Sequence, residues 1–402
     1  MSSFGDLAGA AELARRERPG VPLALATLVQ VDGSSYRQPG ARLLVDGEGR
    51  VLAGAISGGC LEGDVAARAA TVCATGRGVR LVYDLRADLE TIWGFGAACD
   101  GVAHLVLEPL ADWRWLARAE DIRMARAGGA VVTVLTADGA YASALLAGAA
   151  AEGRWHHLPS SSGSRALAVT RALVRAAEVA QQTAQPVTLP EAAPEQPAVF
   201  IEPLVAPVAL YLVGAGRGAE AFALIAHTLG WAVTVVDHRP ALLEALVVPH
   251  GVRTRAVASD ASAPDRRAAI GGDARTAVAL LSHIFEVDAA WLTALQSAPV
   301  AYVGVLGSRR RAAQLFDVVM GECPDDDSKM AHKFSQRLYA PIGLDLGGES
   351  PASIALAAIA EIEAVMHGRP GGSLRERQSP IHSRTPTPQA LNLPAGREQL
   401  AD

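Results

Sequence analysis

The stretch VALYLVGAGRGAEAFALIAHTLGWAVTVVDHRP, residues 208–240, limits the fold of this chain more than any other. It gives an apolar strand, a glycine turn, a helix and a second apolar strand ending in an acid. That order is one βαβ half of a doubly wound parallel sheet. Gly214 and Gly216 occupy the first two glycine positions of GxGxxG/A, and Ala219 takes the third, where a small side chain lets helix and sheet approach. Such a turn lets the backbone come close to a pyrophosphate and aims free N–H groups at it from a helix N-terminus. Asp237 follows Gly214 by 23 positions and is the expected ribose-binding acid.

Two later stretches extend the same domain. APVAYVGVLGSRRRAAQLF is a strand, a turn at Gly307 and a helix with Ser308 as N-cap and Arg309, Arg310 and Arg311 in its first turn. Cations there oppose the helix dipole, so either an anion sits in front of them or they form a solvated basic turn. YAPIGLDLGGESPASIALAAIAEIEAV is a glycine-bearing loop followed by a helix with Ser350 at the N-cap and Pro351 at N1. SHIFEVD gathers His283, Glu286 and Asp288, which read as the solvated end of a buried strand in preference to a base constellation.

The N-terminal half reads as mixed α+β. PLALATLVQVDG and ARLLVDGEGRVLAGAIS are hairpin-forming strands, and from Leu61 the apolar positions Leu61, Val65 and Val72 switch to helical spacing. Residues 117–180 are Ala-rich, with one strand in GGAVVTVLTADGA and a helix in RALAVTRALVRAAEVAQQ. TAQPVTLPEAAPEQPAVFIEPLVAP concentrates proline and reads as a linker, with AVFIEP as a final strand of the first domain. The expected organisation is therefore an N-terminal α+β domain, 1–206, a Rossmann-like domain, 207–370, and a disordered polar, Pro-rich tail, 371–402.

Composition narrows the function classes. Lys and Arg number 36 against 42 Asp and Glu, a net charge of −6 that offers no global attraction to nucleic acid. The start of the chain carries charges where a signal peptide needs an apolar core, and no run suits a membrane span, so a cytoplasmic protein is expected. The cysteines are Cys60, Cys73, Cys99 and Cys323, without zinc or iron–sulfur spacing. Cys60, in GAISGGCLEGDV, stands at the start of a helix, where the dipole favours thiolate; the competing reading is a packing thiol. Nearby, GSSYRQPGARLLV sets Ser34, Ser35, Arg37 and Arg42 around a Pro39–Gly40 turn, groups suited to holding a phosphate.

Taken together, GSSYRQPGARLLV, GAISGGCLEGDV and IWGFGAACDGVAHLVLEP resemble the N-terminal signature of the XdhC/CoxI family. The glycine turn, YVGVLGSRRR and PIGLDLGGESPASIALAAIAEI resemble its Rossmann domain. The resemblance covers most of residues 12–110 and 200–366. It implies a molybdenum-cofactor maturation factor, and the want of a convincing acid, base and nucleophile set in the sequence favours a carrier without turnover chemistry of its own. Such a factor holds molybdopterin, or its cytosine dinucleotide form, during sulfuration by a cysteine desulfurase. It then delivers the cofactor to an apo molybdenum hydroxylase such as xanthine dehydrogenase. A homodimer fits the same resemblance. Cofactor contacts are then expected at Cys60, Cys99, Ser34, Ser35, Arg37, Arg42, Gly58, Gly59, Gly214, Gly216, Asp237, Ser308 and Arg309, with Cys60 as the candidate molybdenum contact. Cys99 matches a cysteine in a GCGG-like segment of the family, but this chain reads AACDG, and Asp100 in place of glycine puts close backbone approach there in doubt. Two other classes compete. An NAD(P)-dependent oxidoreductase would use the Gly214 turn and Asp237 without any evident substrate-side residues, and a structural component of a molybdenum hydroxylase would need cluster or flavin motifs.

Overall fold

The computed structural model describes residues 3–85, 101–135, 142–149, 154–158, 171–190, 198–321 and 328–378. The chain forms two compact units, one running through Ala206 and the other spanning Pro207–Gln378.

The first unit opens with α1 (Phe4–Glu17). Ser3 caps it: its hydroxyl accepts from the Asp6 amide at 3.0 Å, and Asp6 accepts from the Ser3 amide at 2.7 Å. Strands β1 (Leu23–Gly33), β2 (Arg42–Asp46) and β3 (Val51–Gly54) follow as a meander, then α2 (Glu62–Thr75), β4 (Val79–Asp84) and β5 (Gly101–Pro109). These strands pair antiparallel in the order β3-β2-β1-β5-β4. One face is covered by α2, whose Val65, Ala69 and Val72 meet Leu28, Leu43 and Leu105 in a buried cluster. The other face receives α1 and α3 (Arg114–Met124) through Leu7, Leu25, Leu44, Trp115 and Leu116.

A second antiparallel sheet completes the unit. It is built from β6 (Gly129–Leu135), β7 (Ala142–Ala149) and β8 (Arg154–Leu158), with α4 (Arg171–Thr183), β9 (Val187–Leu189) and β10 (Ala198–Pro203). The order is β8-β7-β6-β10-β9. The proline-rich stretch read as a linker thus contributes two strands, because β10 packs buried residues against β6 and pairs with β9 on its other side. The Ala-rich region yields a sheet despite its weak patterning, since alanine alternation leaves little contrast between faces.

The second unit is wholly parallel in its sheet. Its elements are β11 (Ala209–Val213), α5 (Arg217–Thr228), β12 (Ala232–Asp237), α6 (Pro240–Glu244), β13 (Arg253–Ala256), α7 (Ala263–Ile270), β14 (Thr276–Leu280), α8 (Phe285–Leu295), β15 (Tyr302–Val305), α9 (Arg309–Gly321), α10 (Ser328–Ser335), β16 (Leu338–Tyr339) and α11 (Pro351–Met366). The strand order β13-β12-β11-β14-β15-β16 is the doubly wound one, with its switch point between β11 and β14. Phe222, Ala226, Ile359 and Ile362 of α5 and α11 pack on one face, and Trp291, Leu292, Leu315 and Val319 of α8 and α9 on the other. Near-continuous burial of β11, β12, β14 and β15 is what a sheet covered on both faces requires. Among the described residues no helix is long and apolar enough to cross a membrane.

Candidate functional site

The first unit brings three sequence motifs to one end of its first sheet. β1 ends at Gly33, which pairs with Gly101, the first residue of β5. A Cβ on Gly101 would stand 2.5 Å from the Ser34 carbonyl oxygen, so only glycine allows this approach. The loop then carries Ser34, Ser35, Tyr36 and Arg37 round to the Pro39–Gly40 turn, with the Tyr36 ring lying against Gly58 of the cysteine loop. Cys99, which precedes Gly101 by two positions, lies outside the described residues.

The cysteine loop is organised by Ser57 and Glu62. The Glu62 carboxylate accepts from the amides of Ile56, 3.1 Å, and Ser57, 2.8 Å, and from the Ser57 hydroxyl. The Ser57 oxygen in turn accepts from the amides of Gly59 and Leu61, both at 3.1 Å. Burial pushes the Glu62 carboxyl up, but these hydrogen bonds outweigh it and hold its pKa below the usual value. Five donors are thereby committed within seven residues, which fixes the backbone that presents Cys60. Sequence reading passed over both residues; the signal was an acid at the first position of a helix directly after a Gly-rich loop.

Cys60 itself is half-buried at the edge of the α2 cluster. The helix begins at Glu62 with Leu61 as its cap, so the thiol stands one residue ahead of the cap and not in the first turn. The Glu62 charge occupies that helix end. Beside it, Gly59 has φ +115°, and among the described residues nothing lies within 4 Å of where its Cβ would stand. Cys73 contrasts with Cys60, a half-buried core thiol whose pKa is raised chiefly by burial.

The two arginines differ sharply. Arg42, expected at the phosphate, is 6% exposed and ion-paired to Glu202 of β10 at 2.6 Å. Its Nη1 also donates to the Gly40 carbonyl at 3.0 Å, and its guanidinium covers the Phe4 ring. The charge is balanced inside the fold by Glu202, and Arg42 Nε, like that of Arg37, has no hydrogen-bond partner among the described residues. Arg37 is half-buried against Tyr36, and its buried Nε–H has no hydrogen-bond partner among the described residues.

The second unit forms its site at the carboxyl ends of the strands. Gly214, with φ +116°, packs so closely that a Cβ would meet the Leu281–Ser282 peptide at 2.7 Å. Gly216 is the N-cap of α5, without a side-chain cap and open on its Cβ side, which leaves the first amides of the helix available. A small cleft lies beside the turn, bordered among others by Gly214, Asp237, Ser259, Arg266, Ser282 and Trp291. Asp237, 4% exposed, is fully engaged within the fold. One oxygen accepts from the Arg239 amide and Nε, both 2.9 Å; the other accepts from the Ala215 amide at 2.7 Å and Arg239 Nη2 at 2.9 Å. Burial opposes its ionisation, yet Arg239 and the two amides lower its pKa to about 2. Ribose binding would require this carboxylate to exchange Arg239 for the sugar.

At the next βα turn Ser308 caps α9 by accepting from the Arg311 amide at 3.3 Å, and Arg309 and Arg310 are exposed. Arg311 turns away to meet Asp288 at 2.7 Å. Asp288, read from sequence as solvated, is completely buried and also accepts from the Ser282 hydroxyl at 2.5 Å. His283 and Glu286 of the same stretch are exposed. Among the described residues no group of three His, Cys, Asp or Glu side chains is placed to hold a metal ion by itself. A single thiol such as Cys60 suits a metal that arrives with its other ligands.

Comparison with known proteins bears on both units. Residues 17–84 match the XdhC and CoxI family, and residues 210–362 match the XdhC Rossmann domain. A Bacillus subtilis protein named as a probable xanthine dehydrogenase component is 27% identical over 339 residues, 84% of this chain and 91% of that protein. The uncharacterized protein YqeB of Escherichia coli is 32% identical over 172 residues, 42% of this chain and 30% of its own length. A crystal structure from Bacillus halodurans, described as a xanthine dehydrogenase, shares the fold with a TM-score of 0.68 at 24% identity, covering 92% of this chain and 97% of that one.

Proposed function

This chain belongs to the XdhC/CoxI family, and we propose that it serves the maturation of a xanthine dehydrogenase-type molybdenum hydroxylase by carrying the molybdenum cofactor. The cofactor is cargo here. It enters as molybdopterin or the cytosine dinucleotide form, is held while a cysteine desulfurase supplies the sulfido ligand, and passes to the apo hydroxylase.

The observation that carries this reading is the meeting of the loop that bears Arg37 with the loop that bears Cys60, through the Tyr36 ring against Gly58. A half-buried soft donor follows two exposed glycines, and a buried N–H without a partner among the described residues stands in the adjoining loop. A sulfur-rich metal centre bearing a phosphate has the chemistry to satisfy both, because thiolate suits molybdenum held among sulfurs and guanidinium suits phosphate. In this reading Cys60 contacts the molybdenum-bearing end and Arg37 the phosphate, while Ser34 and Ser35 add hydroxyl donors. Ser57 and Glu62 hold the cysteine loop. In the second unit, the Gly214–Gly218 turn and the amides of α5 receive a phosphorylated nucleotide, with Ser308 and Arg309 two strands away at the end of β15.

The test is anaerobic desalting of the protein mixed with purified cofactor, followed by molybdenum analysis and fluorescence of the oxidised pterin. Co-elution near one molybdenum per chain is expected. Protein that emerges free of both overturns the carrier reading.

A further inference from the structure

Tyr36 is 64% exposed, the most of any large apolar side chain among the described residues of the first unit. Its loop is nonetheless fixed at both ends. Gly33 pairs with Gly101 before it; after it the Gly40 amide donates to the Leu28 carbonyl at 2.8 Å and the Ala41 amide to the Gln38 carbonyl at 3.1 Å. The ring is backed as well. A Cβ on Gly58 would stand 3.7 Å from Tyr36 Cγ and 3.8 and 4.0 Å from its two Cδ atoms, near-equal distances that put Gly58 over a face of the ring and not at its edge. Gly58 itself belongs to the loop that Ser57 and Glu62 hold on the way to Cys60.

An aromatic ring fixed in this way, with most of its surface in water, keeps apolar area exposed at the junction of the two loops. The group beside it defines which ligand would cover that area. The Arg37 guanidinium carbon is 5.5 Å from the Tyr36 ring centroid, beyond the about 3.5–4.0 Å of atoms in contact, so the cation stands by the ring without stacking on it. Its buried Nε–H has no hydrogen-bond partner among the described residues. A π-face next to a cation with an unused donor suits a flat heteroaromatic ring that carries an anionic group.

We propose that Tyr36 is the platform on which the pterin ring system of the cargo stacks, with Gly58 behind the ring and Arg37 beside it toward the phosphate. The proposal rests on the carrier reading and deepens it by naming the part of the cofactor that the first unit recognises apart from the metal. Recognition through the ring requires that a pterin lacking both molybdenum and phosphate still binds.

The test uses the full chain and two probes. One is pterin-6-carboxylate, which has neither molybdenum nor phosphate and whose fluorescence is quenched by stacking on an aromatic ring; the other is the purified cofactor, scored by anaerobic desalting. Wild type, Tyr36→Phe and Tyr36→Leu are compared, with melting temperatures measured alongside. Phenylalanine keeps the ring face and loses the hydroxyl, whereas leucine keeps apolar bulk and loses the face. Tyr36→Phe is expected to bind both probes as wild type does, and Tyr36→Leu about tenfold more weakly, with melting temperatures unchanged because the ring is exposed. A Tyr36→Leu variant that binds both probes like wild type overturns the proposal. So does a Tyr36→Phe variant as weak as Tyr36→Leu, which would assign the contact to the hydroxyl. A wild type that retains the cofactor but leaves pterin-6-carboxylate unquenched overturns the proposal while the carrier reading stands; a wild type that binds neither probe overturns both.

Discussion

Ser57 and Glu62 are joined twice, through the serine amide at 2.8 Å and through its hydroxyl, and together they hold the backbone on which Cys60 stands. Replacing Glu62 by Gln keeps the shape but weakens hydrogen bonds to a charged acceptor. A loss of about 1–3 kcal/mol of stability is expected, with cofactor retention falling further than global unfolding explains. Chemical denaturation and molybdenum retention on the same preparation check both parts. Unchanged retention at reduced stability would make the pair structural only.

Arg42 and Glu202 form a partly buried pair between β2 and β10. Glu202→Gln leaves the Arg42 charge uncompensated, and a loss of about 3–5 kcal/mol is expected. The double variant Arg42→Met, Glu202→Leu should recover most of it, since well-packed apolar replacements of buried ion pairs are often neutral. If Arg42 plays no part in holding phosphate, the folded double variant retains cofactor as wild type does, whereas Arg37→Ala loses it. Urea midpoints and molybdenum analysis separate these outcomes.

The acid side of the stability profile follows from two depressed carboxyls. Asp237 has an ordinary value of 3.8 and a folded value of about 2, so its contribution is complete above pH 3.8 and is lost as pH falls from there toward 2. Glu62 acts in the same direction, its contribution fading below its ordinary 4.5. Asp237→Asn should therefore unfold more readily than wild type at pH 6, by about 1–3 kcal/mol, with the gap narrowing below pH 4. A gap independent of pH would contradict the assignment.

Much of the second unit was legible because its signals are local. The Gly214 turn, the buried strands on either side of it, and Asp237 at the end of β12 all lie within one 33-residue stretch and suffice for the fold class. Partner choice was not legible. Whether Asp237 faces a ribose or Arg239, and whether Asp288 is solvated or clamped by Ser282 and Arg311, depends on rotamers and neighbours that spacing does not encode. In the first unit the hairpins were readable from their turns, whereas β9 and β10 were hidden in a proline-rich stretch whose composition resembles a linker. Arg42 shows the same limit. A cation beside Ser34 and Arg37 in sequence faces Glu202, 160 positions away.

The most direct measurement of the central claim compares wild type, Cys60→Ala and Cys73→Ala for molybdenum and oxidised pterin retained after anaerobic desalting. Cys73 packs in the same core and serves as the matched loss of a thiol. Retention near one molybdenum per chain is expected for wild type and Cys73→Ala, with at least a fivefold loss for Cys60→Ala at an unchanged circular dichroism spectrum. Equal retention by all three would contradict the assignment of Cys60 to the cofactor.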